Sequence, residues 1–195
     1  MSPESHEAHA AGTQAAPLSN AFAARDVEDI LLERGWLAQG AQESATETHA
    51  AQLSAWMEHS VSLLGPHASD RNLLADLLSL VFQYDASASL ATPAAQDVLA
   101  RVGSREVIRE LANLILDGTA IDSERFKAIV EALKAAMRYR SRELFHPIRL
   151  ALAGRAGEGE LDRVILLLDS AASLPFAAPV KGTRQRMLEF CAALE

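Results

Sequence analysis

The chain has 195 residues, a formal net charge of -8, 49% hydrophobic and 5% aromatic residues, and one cysteine. That length suits one domain or two small ones sharing an interface, and it carries enough apolar residues to bury a core. Cys191 alone excludes a disulfide framework and a paired-cysteine zinc site, and points to a reducing, cytoplasmic compartment.

Residues 1–18 are Ala, Ser, Glu, His, Gly and Pro without periodicity, and are expected to be a disordered tail outside the fold. They lack the positive end and apolar run of a signal peptide, and no later run approaches a membrane span, so neither export nor membrane insertion is expected. Ser19 or Asn20 is expected to cap a first helix with Val27, Ile30 and Leu31 on one stripe, ended by Gly35, with Trp36 and Leu37 packing there. A second helix runs from about Thr46 to Leu64 on a stripe of Leu53, Trp56, Met57, Ser60, Leu63 and Leu64, and Gly65-Pro66 stops it. Ser69 caps a third through Phe82, whose leucines on nearly every side mark it as central and buried.

The run from Gln83 to Ser89 breaks the periodicity. It predicts a boundary between an N-terminal helical subdomain over 19–88 and a C-terminal one over 89–195. Thr92-Pro93 opens another helix, and Ser104 caps one with Val107, Ile108, Leu111, Leu114 and Ile115 in phase, ended by Asp117-Gly118. Asp122 caps the clearest helix, with Phe126, Ile129, Val130, Leu133 and Met137 inside and Glu124, Lys127, Glu131, Lys134 and Arg138 outside. After an irregular Tyr139–His146, Pro147 is expected to start a short helix that Gly154 terminates. Leu161, Val164, Ile165 and Leu168 mark the next. Ser170–Gly182 reads as a loop, and Thr183–Leu194 as a last helix with Met187, Leu188 and Cys191 inward. With no strand pair, hairpin turn or internal repeat, the fold class is all-α, two small packed helical subdomains, a bias that Ala and Leu, a third of the chain, reinforce.

Charge divides the chain. Residues 1–100 hold three basic side chains, Arg25, Arg34 and Arg71, against thirteen acids, whereas 101–195 hold fifteen against thirteen, so the halves carry -10 and +2. Arg125–Arg155 is richest, with an excess of six positives, a candidate anion-facing patch; the plain alternative is a solvated face with (i, i+4) partners. Phosphate-binding glycine loops, the Gly-x-Ser-x-Gly elbow and paired-cysteine metal spacing are all missing, and the six histidines do not converge, so neither a catalytic residue nor a metal or other cofactor is expected. Cys191 sits on an apolar stripe as a small core residue.

The segment Leu144-Phe145-His146-Pro147-Ile148-Arg149-Leu150-Ala151-Leu152-Ala153-Gly154-Arg155, following Phe126–Arg142, resembles the C-terminal, anticodon-binding half of bacterial glutamyl-tRNA synthetases. There the family shows a lysine- or glycine-rich turn and then Leu-Phe-x-Pro-Ile/Leu-Arg-x-Ala-Leu-Thr-Gly. Val81-Phe82-Gln83-Tyr84-Asp85 is similar to the family's link into its terminal helical domain, and the likeness covers about residue 20 to the end. Ala153 departs from the family's threonine, Gly157-Glu158-Gly159 replaces a glycine-proline step, Asp169 follows Leu167-Leu168 where the family has glycine, and Ser170–Gly182 looks inserted. The synthetase's nucleotide-binding motifs have no counterpart. The resemblance therefore implies a stand-alone, non-catalytic homologue that binds tRNA or another structured RNA, but not DNA or a membrane. Lys134, Arg138, Arg140, Arg142, Arg149 and Arg155 are its candidate RNA-binding residues, with Arg149 equally placed to anchor the fold through a carboxylate. The alternative is a helical protein-interaction module, with a protein partner, that has lost RNA binding.

Overall fold

In the computed structural model, residues 21–40 and 47–195 are described, and they form ten α-helices with no strand. The expected tail over 1–18, the Ser19 or Asn20 cap and the start of the second helix at Thr46 lie outside the described residues. Helix α1 (Ala24–Glu33) begins where the Asp26 carboxylate accepts from the Ala23 N–H at 2.7 Å. Helix α2 (Glu47–Leu64) leads through a single 3-10 turn into α3 (Arg71–Phe82). Asp70, rather than Ser69, caps α3, accepting from Asn72 and Leu73, while the Ser69 hydroxyl donates to Asp70.

The non-periodic run after Phe82 holds α4 (Ala86–Leu90), which Asp85 caps, and α5 (Pro93–Leu99) follows with Thr92 as cap. Helix α6 (Ser104–Leu116) starts differently from expectation. Gly103 occupies the cap position with φ of 87°, and the buried Ser104 hydroxyl donates back to Val98 at 2.6 Å instead of capping. A Cβ on Gly103 would lie 2.1 Å from the Tyr139 ring, so both the backbone and the neighbour require glycine there. Helix α7 (Ser123–Ala136) has the expected Asp122 cap and stripe, with Met137 as its C-cap.

Helix α8 (Arg142–Ala153) corrects the sequence reading, which started it at Pro147. Five residues precede the proline, whose missing N–H leaves the Glu143 carbonyl without its helical donor, and the helix continues through it. Gly154 ends α8 in the left-handed region, as expected. Helix α9 (Glu160–Ala172) extends two residues past Ser170. In α10 (Thr183–Leu194) the inward positions are Thr183, Arg186, Met187 and Phe190, whereas Leu188 is half exposed and Cys191 half buried. Among the described residues, no helix is long and apolar enough to cross a membrane.

Helices α1, α2 and α3 pack together at one end, and α9 lies on α2, α3 and α8, while α10 closes on α4, α6 and α8. The buried apolar residues form one continuous cluster from Val27 to Phe190. At its centre the connection after α9 inserts Phe176 edge-on between Trp56 and Phe82, each at a ring distance of 5.0 Å, and Phe82 stacks on Trp36 at 4.6 Å. Such pairs add about 0.5–1.5 kcal/mol each beyond the area they bury. The Ala177 N–H donates to Trp36, closing the same junction with backbone.

Two polar devices hold the helices in register. Arg186 is fully buried and donates to Lys181, Leu80, Leu152 and Val81 carbonyls at 2.6–2.9 Å, with its guanidinium 4.6 Å from the centre of the Tyr84 ring. Leu80, Val81 and Leu152 lie in the last turns of α3 and α8, where carbonyls lack helical donors and the dipole is negative. Burial lowers the pKa of Arg186 to about 10, so it stays charged at neutral pH. Asp169 on α9 accepts from the Thr183 N–H and hydroxyl at 2.6 and 2.7 Å and from the Ile121 N–H at 2.6 Å, capping α10 from another helix.

Candidate nucleic-acid interface

The six basic residues singled out in the sequence sit around the α7–α8 connection and the ends of α8, in four different settings. At the end of α7 the Lys134 ammonium pairs with Glu131 at 2.9 Å, a bond that also holds the Glu131 carboxyl below the usual carboxylate range. Arg138 is exposed and has no ion-pair or hydrogen-bond partner among the described residues. Arg140 is exposed as well, but one of its nitrogens donates to Lys134, Met137 and Tyr139 carbonyls at 2.8–3.0 Å, capping α7 as Arg186 caps α3 and α8. The chain then turns sharply at Ser141, which has φ of 48°, and enters α8 with Arg142.

The connection is fixed from below by Tyr139. Its ring fills the space over Gly103, and its hydroxyl donates to Glu106 at 3.1 Å, which raises the pKa of the phenol. Arg142 projects from the first turn of α8, with a side chain 73% exposed, and meets Glu158 at 3.2 Å. Arg155, past the end of α8, reaches Asp76 of α3 at 3.6 Å, and both side chains are largely exposed. Exposed pairs of this kind are worth about 0–1 kcal/mol and are screened by salt, so they leave the cations available to a competing anion.

Arg149 is drawn out of the expected basic face. It is buried, and its guanidinium makes a two-pronged pair with Asp162 at 2.7 and 2.8 Å, donates to the Gly157 carbonyl at 2.8 Å and lies 5.0 Å from the Phe145 ring centre. An arginine so enclosed on an apolar helix joins α8 to α9 through the Asp162 carboxylate, in line with the fold-anchoring alternative of the two weighed for it. The structure adds two residues that sequence reasoning missed. Arg101, exposed in the turn between α5 and α6, lies 3.2 Å from Nδ1 of His146, which stands one turn along α8 from Arg142. His146 lay inside the motif, but no spacing ties it to a residue 45 positions earlier. Burial is the main cause that keeps the imidazole pKa below its usual value, reinforced by Arg101. Among the described residues no group of His, Cys, Asp and Glu gathers to hold a metal ion.

Comparison with known proteins bears on this surface. Residues 27–174 match the family described as the anticodon binding domain. The chain is 28% identical over 113 residues to glutamate–tRNA ligase 2 of Syntrophus aciditrophicus (strain SB). That match covers 58% of this chain and 23% of the relative, so the chain corresponds to about a quarter of the relative's length. No solved structure matches it.

Proposed function

Since the chain belongs to the anticodon binding domain family, we propose that it is a non-catalytic RNA-binding protein that contacts tRNA, or another structured RNA, through the exposed cations around the α7–α8 connection. The observation that supports this reading is the grouping of Arg138 and Arg140 in the α7–α8 connection with Arg142 at the start of α8, all exposed, with Arg138 unpaired among the described residues. Lys134 adjoins them at the end of α7, and Arg155 stands past the far end of α8. Guanidinium groups suit phosphate because their forked donors match its oxygens. The excess of ten negative charges in residues 1–100 orients an approaching polyanion toward this half. A protein-interaction module is less well supported, because among the described residues the exposed large apolar ones, Leu73, Val102 and Leu188, lie on three separate elements.

The reading is tested by fluorescence anisotropy of labelled bulk tRNA at about 50 and 150 mM salt, a span over which several phosphate contacts give a steep loss of affinity. Replacing Arg138 and Arg142 together by Ala weakens binding and makes the salt dependence shallower by about two phosphate contacts. Unchanged affinity and slope would remove this surface from the interface. Arg140 is not a clean probe, since its loss also uncaps α7. ATP–pyrophosphate exchange in the presence of glutamate stays at background on the non-catalytic reading, and exchange above it would overturn that part.

A further inference from the structure

The guanidinium of Arg101 has only donors to offer, so at 3.2 Å from His146 it must be Nδ1 that accepts, which leaves the ring hydrogen on Nε2. That Nε2 is buried and has no hydrogen-bond partner. Glu158 Oε1 faces it from 3.9 Å, beyond bonding distance. The same carboxylate lies 3.2 Å from Arg142 and 4.0 Å from Arg149. One exposed acidic side chain thus stands before three donor-bearing groups of α8, in contact with one of them and short of the other two.

The charges around His146 come from every neighbouring element: Arg101 from the α5–α6 turn, Arg142 and Arg149 from α8 itself, and Glu158 from the α8–α9 connection. Three of the four are positive. The carboxylate is 62% exposed, and an ion pair of that kind contributes little net stability, so a rotation of the Glu158 side chain into solvent loses little. What it uncovers is a buried N–H donor beside an arginine whose fork is otherwise unengaged, a donor set suited to a tetrahedral oxyanion with more acceptor oxygens than a carboxylate can direct there.

We propose that Glu158 covers an oxyanion site in which a phosphate group accepts from His146 Nε2 and Arg142 and displaces the carboxylate. Arg101 acts as a positioning residue that fixes the imidazole tautomer, and Arg149, committed to Asp162, contributes only its field. The phosphate is that of a nucleic acid, in which form the site rests on the RNA-binding reading above, or a free phosphate.

The experiment follows the imidazole nitrogens of His146 by NMR in the full chain carrying Glu158→Gln, a surface change that leaves the fold intact. The chain is titrated with inorganic phosphate and, at matched ionic strength, with sodium chloride. The expected result is a saturable shift with phosphate alone, reached at about threefold lower concentration than in the unsubstituted chain, and lost in Glu158→Gln/Arg142→Ala. A parallel arm measures tRNA binding. An increase of about threefold in affinity on Glu158→Gln assigns the site to nucleic-acid phosphate, whereas a phosphate shift without any change in tRNA binding assigns it to free phosphate. His146 signals indifferent to phosphate in Glu158→Gln would overturn the proposal, even where the unsubstituted chain binds tRNA and the broader reading stands.

Discussion

Replacing Arg186 by Met is a severe single change for this fold, because it removes the group shared by two helix ends and a loop. The guanidinium is fully buried, and four carbonyl oxygens, of Leu80, Val81, Leu152 and Lys181, accept from it at 2.6–2.9 Å. Each acceptor left buried without a donor costs about 1–3 kcal/mol, and the sum is offset by several kcal/mol from no longer desolvating a charge. The net lies at about 3–5 kcal/mol, the range found when one member of a buried charged arrangement is deleted. Against a total stability of about 5–15 kcal/mol, that is a large fraction. In urea unfolding followed by tryptophan fluorescence, the midpoint should fall by about 2 M with the slope unchanged, taking a slope of about 2 kcal/mol/M. Arg186→Lys restores the charge but not the planar fork that spans three segments, and should recover less than half of the loss. Tyr84→Phe keeps the ring against the guanidinium and loses the hydroxyl, which donates to the Ala151 carbonyl at 2.6 Å and lies 3.3 Å from the Arg186 carbonyl, for about 1 kcal/mol. A midpoint for Arg186→Met within about 0.5 M of the unsubstituted protein, at unchanged slope, would refute the view that this arginine caps the helices.

Asp169→Ala should destabilise by about 3 kcal/mol, because three donors from the start of α10 and from Ile121 lose one charged acceptor, with Asp169→Asn recovering part; equal midpoints for the two variants would contradict this. Gly103→Ala forces a left-handed backbone on an L side chain and drives its Cβ into the Tyr139 ring, for about 2–3 kcal/mol. Adding Tyr139→Ala should restore part of that loss, and strictly additive losses in the pair would show that the two sites do not touch. The folded-state pKa of His146 is depressed, chiefly by burial, so on acidification the unfolded chain takes up its proton first. His146 thus contributes stability that is present above its usual pKa and is lost as pH falls from about 6.5 toward the lower folded value. His146→Gln should make the urea midpoint less sensitive to pH across that window, and an unchanged dependence would count against the assignment.

The helices that could be read from the sequence are those whose start is a local side-chain cap and whose inside is a periodic stripe. Asp122 with Phe126, Ile129, Val130 and Leu133 is such a case, and Thr92-Pro93 is another. Boundaries failed where the deciding partner came from elsewhere in the fold. Ser104 resembles a cap, but its hydroxyl turns back to Val98, and Tyr139, more than thirty residues on, dictates the glycine before it. Pro147 resembles a helix start because an interior proline leaves a carbonyl without a donor and crowds it. Here α8 begins at Arg142, held by backbone bonds from Leu144 and Phe145 to Ser141. Leu188 fits an apolar stripe on α10, yet the inward side of that helix is set by Arg186, which a hydrophobic pattern assigns to solvent.

The basic residues give the same lesson about the site. Composition and spacing identify which side chains are cationic, but whether a cation is available depends on acceptors that sequence proximity does not reveal. Arg149 and Arg142 lie seven positions apart on one helix. The first is enclosed by Asp162 and a carbonyl and serves the fold, while the second meets only an exposed carboxylate. Arg140 looks like its neighbour Arg138, but its donors are taken up by the end of α7. Arg101 enters the site through a histidine 45 residues later. The availability of each cation follows from the strength of what already holds it: a buried two-pronged pair with carbonyl support does not yield to a phosphate, and an exposed pair does. On that ordering, Arg138 and Arg142 are the cations most available to the proposed interface, Arg155 and Arg140 are less so, and Arg149 is committed to the fold.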